Sequence, residues 1–344
     1  MNALSKGPDG GDARSLLVFG AGAVGRRTAR TLSETDGVER LLVADKDAAR
    51  AAQVAEVLGP VAEAIEWSPA DPLPPGVAAA AVAAEAGVER AVVERALERR
   101  VPVACSSDDP DGVRSLLDLD DAAREAGTAV AVACGLAPGL SDVLARHAAD
   151  ALEVATEVHV ARAGWAGPEC AGRLHRAHRG VALEWRDGAW VRERAGSGRQ
   201  VVWFPHPVGG LDCRRAASAQ AQLLVGALPR LTRASMRMAH GQAEGHRRRS
   251  RRQPDSEGAW GAAWVEVRGR RGRAEEVLVY GVVDRMAFAA GTVLGVATAW
   301  LAGLEETSVT QAGVHGLGSL VEPVPFLAEL ARRGVKAAAF EGAR

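Results

Sequence analysis

The sequence predicts an α/β chain of two domains: a doubly wound parallel sheet, then an α+β domain with a mainly antiparallel sheet. Three observations predict it. Short apolar runs alternate with helical stretches from Ser15 to Ala133, the pattern of parallel strands joined by crossover helices. The first strand meets its helix through a glycine-rich turn. Past Cys134-Gly135 the alternation stops, and strand-like runs separated by turns take over. At 344 residues the chain is also too long for one ordinary core.

In order, Leu16 to Phe19 is the first apolar run, and Gly20, Gly22 and Gly25 follow with G-x-G-x-x-G spacing. Val24, Ala29 and Leu32 continue at helical spacing. Strand, glycine turn and helix in that order form a dinucleotide-binding turn. The first glycine permits the tight turn and the second lets backbone approach a pyrophosphate. The third lets helix and strand pack closely. The backbone of Ala23 and Val24 opens the helix, whose positive dipole end faces the anion. Leu41–Ala44 is the second strand and ends in Asp45, where a carboxylate accepts from the adenosine ribose. The implied cofactor is NAD or NADP. Asp45 favours NAD, while Lys46 can pair with the 2′-phosphate of NADP.

Ala48–Leu58 reads as a helix stopped by Gly59-Pro60, Ala62–Trp67 as a strand and Pro69–Pro75 as a rigid turn. Gly76–Ala83 is a continuous apolar run, as a strand buried on both faces requires. Helix Gly87–Arg99, strand Val101–Cys105, helix Val113–Ala126 and strand Thr128–Ala133 complete the first domain. Ligands of such sheets sit beyond the carboxyl ends of the strands. Ser106, Ser107 and Asp108 occupy one such end and are expected beside the cofactor. Cys134 occupies another, as a nucleophile candidate or a small buried hydrophobe.

The segment from Cys134 to Asp150 is a turn and a helix, with Ser141 or Asp142 able to cap it. Strand-like runs then fall at Val154–Arg162, Val181–Arg186, Trp190–Arg194, Gln200–Phe204, Ser235–His240, Ala263–Arg268 and Val277–Val283. Met286–Leu304 carries no charge, but it is rich in Ala, Gly and Thr, and it reads as a buried helix rather than a membrane span. Pro323–Phe340 reads as a helix, a glycine turn and a short strand. The expected domains are a disordered lead-in over 1–14, a dinucleotide-binding Rossmann domain over 15–137 and a substrate domain over 138–310. The last segment, 311–344, is expected to pack back on the first domain.

A net charge of −1 offers no global attraction to nucleic acid or membrane. Four cysteines without a C-x-x-C pair suit a reducing cytoplasm and argue against a zinc ribbon. The basic run Arg247–Arg252 is read as a solvated loop, with an anion or nucleic-acid patch as the alternative.

The chain resembles the saccharopine dehydrogenase family of NAD(P)-dependent oxidoreductases nearly end to end. The resemblance rests on FGAGAVGRRTA, on VPVACSSDD, and on CGLAPGLSDVL at 134–144, which is similar to the family's C-G-x-x-P-G crossover. WRDGAWVRERAGSGRQVVWFPHP at 185–207 and VEPVPFLAELARRGVKAAAF at 321–340 extend it. Ala137 stands where relatives often have Asp, and Glu322 precedes Pro323 where relatives have the reverse order. The resemblance implies hydride transfer at a carbon bonded to nitrogen, in an amino acid or amine. The alternative is a cofactor-binding sensor or scaffold of the same fold without turnover.

An amino-acid substrate needs a cation for its carboxylate and a group that moves one proton. RLHRAHR at 173–179 supplies three arginines with His175 and His178. It is either a substrate clamp with a histidine proton carrier or a solvated basic helix. His175, Arg176, Arg215 and Cys134 are the catalytic candidates. No third ligand lies in sequence reach of the histidine pair, so no metal site is expected. The reading is compatible with a homodimer.

Overall fold

The structure is a computed structural model and describes residues 15–84, 86–240, 257–304, 309 and 311–340. The lead-in 1–14 and the basic run 247–252 lie outside the described residues. The described residues of Met1–Ser107, Asp111–Cys134 and Gly291–His315 form one compact unit. Those of Asp108–Pro110, Gly135–Ala290 and Gly316–Arg344 form the other.

The first unit is built on a seven-stranded sheet. Its strands are β1 (Ser15–Phe19), β2 (Arg40–Ala44), β3 (Ala62–Ala64), β4 (Val77–Val82), β5 (Val103–Cys105), β6 (Ala129–Val132) and β15 (Gly313–Gly316). The spatial order is β15-β6-β5-β4-β1-β2-β3. All pairings from β3 through β6 are parallel. β1 is buried along its whole length, as a central parallel strand must be. The order reverses direction at β1 and β4, so the loop after β1 opens at the switch point of the sheet. Helices α1 (Ala23–Ser33), α2 (Ala48–Leu58), α3 (Ala86–Glu98), α4 (Pro110–Leu117) and α5 (Asp120–Ala126) connect the strands. The Asp47 side chain caps α2 by accepting from the Arg50 N–H.

The uncharged stretch near the C-terminus is a helix, Met286–Leu301 (α9 below), and from Gly291 on it belongs to the first unit. Its small residues have a packing reason. A Cβ at Gly291 would lie 2.6 Å from Arg27 Cβ, and one at Gly295 2.7 Å from Thr31 Cγ2. The Thr28 hydroxyl donates to the Gly291 carbonyl at 3.1 Å, and Arg27 Nε donates to Thr292 Oγ1 at 3.2 Å. The two helices cross at backbone contact, which larger side chains would forbid. Among the described residues no helix is long and apolar enough to cross a membrane.

The second unit is built on a nine-stranded sheet. It comprises β7 (Val154–Ala163), β8 (Val181–Arg186), β9 (Ala189–Arg194), β10 (Gln200–Trp203), β11 (Gly210–Arg215), β12 (Arg233–Ala239), β13 (Trp260–Arg271), β14 (Ala274–Arg285) and β16 (Ala337–Phe340). The order is β10-β11-β12-β7-β13-β14-β16, with β8 on β12 and β9 on β8. β12 and β7 run parallel; the other pairings are antiparallel. Its helices are α6 (Leu140–Asp150), α7 (Pro168–Ala177), α8 (Gln220–Ala227), α9 (Met286–Leu301, in part), α10 (Leu317–Leu320) and α11 (Pro323–Arg332). α6 packs on β13 and β7, and α8 packs on β12. Along β13, Val265 and Val267 are fully buried, while Trp264, Glu266 and Arg268 share the opposite face.

The fold class is therefore the expected one, but the segment boundaries need correction. The chain leaves the first unit at Cys134 rather than at 137, and α9 returns to it at Gly291. The tail does not return as one piece. β15 joins the first sheet, whereas β16 pairs with β14 and α11 packs on α6. β11 falls outside the strand-like runs marked in the sequence; its strand is held by pairing with β10 and β12.

Candidate functional site

The glycine turn divides its labour among three positions. Gly20 has φ +99°, and a Cβ there would lie 2.4 Å from the Ala83 carbonyl oxygen. At Gly25 a Cβ would lie 1.7 Å from the Gly20 carbonyl oxygen. Both glycines are thus required by the fold itself. Gly22 is different: its φ is −73°, and a Cβ would meet nothing within 4 Å. Gly22 is the N-cap of α1, has no side-chain cap, and no acidic residue stands in the first turn. The first intrahelical bond runs from the Arg26 N–H to the Gly22 carbonyl, so the N–H groups of Ala23 and Val24 precede it. The open space above Gly22 therefore faces a positive helix end.

Asp45 ends β2 against this turn. Its Oδ2 accepts from the Ala21 N–H at 2.6 Å, and its Oδ1 accepts from the Asp47 N–H at 2.9 Å. The carboxylate is fixed by backbone donors at the strand end, and Lys46 beside it is exposed. Ser106 and Ser107 are positioned by a residue that sequence reasoning missed. Glu89, fully buried on α3, accepts from both backbone N–H groups at 3.0 and 2.9 Å. A glutamate in the first turn of a helix reads as a solvated residue, so no signal marked it. Cys134 is fully buried past β6, with its N–H on the Cys105 carbonyl at 2.7 Å. Burial, then the charges of Glu89 and Cys134, push the Cys105 thiol well above its ordinary pKa.

Asp108, expected beside a cofactor, belongs to the second unit and is claimed by two arginines. Arg162 Nη1 lies 3.0 Å from its Oδ2, and Arg173 Nε lies 3.3 Å from its Oδ1. Arg173 Nη2 also donates to the carbonyls of Asp108 and Ala217, and Arg162 Nη1 to that of Ala137. Burial opposes ionisation of Asp108, but the Arg162 and Arg173 charges outweigh it and hold the carboxyl below its ordinary range.

The basic candidates of the second unit are not brought together. α7 turns Arg173 inward and gives His175 and Arg176 to solvent, because Leu174 and Ala177 take the buried face. His178 is half-buried between the carbonyls of Leu174 and Met238, and burial lowers its pKa. Arg215 donates its Nε to Glu184 at 2.8 Å. A second buried carboxylate, Asp142 on α6, has no cation beside it among the described residues. Its donors are the Gly139 N–H and the Gln220 amide, and burial raises its pKa to about 7.

No protein-family model matches the chain, and no curated protein sequence matches it. Solved structures do. An apo saccharopine dehydrogenase (L-Glu forming) from Saccharomyces cerevisiae aligns with TM-score 0.67 and 15% identity, covering 95% of this chain and all of that one. A C. glutamicum DAP dehydrogenase in complex with DAP aligns with TM-score 0.53 and 13% identity, over 94% of this chain and 100% of that one. At these identities the likeness is one of fold.

Proposed function

From that shared fold and the glycine turn, we propose that the protein is an NAD(P)-dependent oxidoreductase acting at a C–N bond of an amino acid or amine. The observation that carries the reading is Gly22. Gly20 and Gly25 are needed by the chain's own packing, and Gly22 is not. A glycine kept where a side chain would meet only open space suits a diphosphate resting against the backbone. Gly22, Ala23 and Val24 would hold the pyrophosphate. Gly20 and Gly25 shape the turn, and Asp45 would accept from the adenosine ribose, with Lys46 beside it. Ser106 and Ser107, fixed by Glu89, border the cofactor at the next strand end.

When bound, the nicotinamide supplies the hydride acceptor or donor. The chain's own residues must then orient the substrate and move one proton. His175 and Arg176 are the proposed substrate contacts: both are exposed, and neither forms an ion pair with another described residue. Arg176 suits a carboxylate, and the His175 imidazole can give or take a proton. Arg215 is already committed to Glu184 and Cys134 is sealed from solvent, so neither is kept in the catalytic set. The amino-acid assignment is supported by the family resemblance of the sequence and by the names of the two aligned dehydrogenases.

Calorimetry with NADH and NADPH, followed by turnover with a panel of amino acids and of 2-oxo acids with amines, tests this. Asp45 predicts tighter NADH binding; a tenfold or greater advantage for NADPH, about 1.4 kcal/mol, refutes that part. Cofactor binding without turnover of any panel member would favour the sensor reading, and no binding at all would sink both.

A further inference from the structure

The face of the nine-stranded sheet that carries Trp264, Glu266 and Arg268 holds a concavity of about 270 Å³. Five arginines line it, Arg186, Arg215, Arg233, Arg237 and Arg268, against two glutamates, Glu184 and Glu266. The volume suits a molecule of a few heavy atoms, well below a dinucleotide.

Its floor is organised by Glu184, which is 4% exposed. Arg186 and Arg215 already hydrogen-bond this carboxylate. Burial opposes its ionisation, yet those hydrogen bonds and charges hold its pKa below the ordinary range. A third arginine, Arg237, packs beside the same carboxylate. Arg237 Nη1 lies 3.7 Å from Glu184 Oε1, beyond hydrogen-bonding distance, and its Nε is buried without a hydrogen-bond partner among the described residues. Its side chain is 19% exposed. A guanidinium donor left unmet in a desolvated place is costly. Within native structures such a group calls for an acceptor from outside the chain. Beside it, His159 Nδ1 and Ser235 Oγ are 2.8 Å apart and add polar edges to the wall. Arg233 and Arg268 stand half exposed at the rim, where they would draw an anion in.

We propose that this concavity is a binding site for a small oxyanion, a carboxylate or phosphate group, anchored by Arg237. The site lies wholly within the second unit and needs no nicotinamide, so it stands apart from the proposed dehydrogenase reading. The planar guanidinium fork matches either oxyanion in bidentate fashion.

The whole chain is titrated with sodium phosphate and, separately, with sodium malonate, by calorimetry and thermal unfolding, against sodium chloride of equal ionic strength. Saturable binding and a rise in Tm beyond the chloride control are expected with at least one of them. Phosphate alone, malonate alone or both would each support the site and name its preference. Arg237→Gln should weaken binding by at least about tenfold. Arg237→Lys, which keeps the charge and loses the fork, should fall between. If Arg237→Gln does not fold, Arg233→Glu reverses a rim charge without touching the buried group and should also weaken binding. Arg30→Gln on α1, an exposed residue outside both sites, should leave it unchanged. The proposal is overturned by a response no larger than chloride gives, or by equal binding in Arg237→Gln and Arg233→Glu. It is also overturned by a dimer, seen by light scattering, that Arg237→Gln dissociates, because a second copy would then be what covers this face.

Discussion

Gly22→Val separates what the glycine turn does for the fold from what it does for a ligand. A Cβ at Gly22 meets nothing within 4 Å, and the backbone there is extended. Losing a glycine N-cap costs under about 1 kcal/mol, and the reduced freedom of the unfolded chain returns about 0.4–1 kcal/mol. Net stability should therefore change by less than about 1 kcal/mol, a Tm shift of a few degrees at most. Gly25→Ala is the contrasting variant. Its Cβ would lie 1.7 Å from one backbone atom of Gly20 and 2.8 Å from another, with no flexible side chain to yield. That substitution should cost at least about 3 kcal/mol or prevent folding. With the pyrophosphate seat filled, Gly22→Val should lose at least a hundredfold in NADH affinity, about 2.7 kcal/mol. Calorimetry with NADH and thermal unfolding without cofactor measure the two effects independently. Gly22→Val binding NADH within twofold of the parent would refute the cofactor assignment. Gly22→Val unfolding as readily as Gly25→Ala would refute the reasoning about open space.

Two further outcomes follow from the buried carboxylates. Asp142 has a folded pKa near 7 against about 3.9 when unfolded. The folded state therefore holds a proton that the unfolded state has lost, and stability falls as pH rises from about 4 to about 7, by up to about 4 kcal/mol. Asp142→Asn can still accept from the Gly139 N–H, and a turned Gln220 amide can accept from it. The variant should show a flatter pH profile and greater stability at pH 8 in urea unfolding; an unchanged profile counts against the burial argument. Asp108 is the opposite case, with its pKa depressed. Its contribution is present above the unfolded pKa of about 3.9 and is lost as pH falls through the lower folded value. Asp108→Asn should strand Arg162 and Arg173 and cost about 3 kcal/mol at pH 7. A loss under about 0.5 kcal/mol in urea unfolding at that pH would show the cluster to be dispensable.

The parts of the fold that were legible in the sequence are those whose physics is local. The glycine turn, the Asp45 strand end and the apolar runs of β1, β4 and β6 each carry their signal within a few residues. Eight of the nine strands of the second sheet, β16 among them, were marked in the sequence. β11 was not, because GLDCRR is short and charged, and only its neighbours on both sides make it a strand. The face of α7 was equally hidden. RLHRAHR offers too few apolar residues to set a register, and only packing of Leu174 and Ala177 decides that Arg173 points inward. Glu89 and Glu184 were illegible for a related reason. Their burial is balanced by backbone N–H groups or arginines distant in the chain, whereas an isolated glutamate in a sequence looks like one bound for water.

The helix crossing at Gly291 and Gly295 has a consequence for how the protein is made. α1 is synthesised early, yet its hydrogen-bonded partner residues follow 263 and 265 positions later. A nascent chain that has emerged only through β6 already holds the complete glycine turn, but the groove around Thr28 and Thr31 is still uncovered. Its first unit cannot close until the second unit's strands have left the ribosome, so the two must mature together rather than in succession. Closing a loop of that span favours late consolidation and exposes the unfinished surface to chaperones or to aggregation. A fragment ending at Cys134, which the linear sequence presents as a natural domain, should therefore be poorly soluble. Supplying Gly291–His315 as a peptide should rescue it more effectively than extending the fragment into β7.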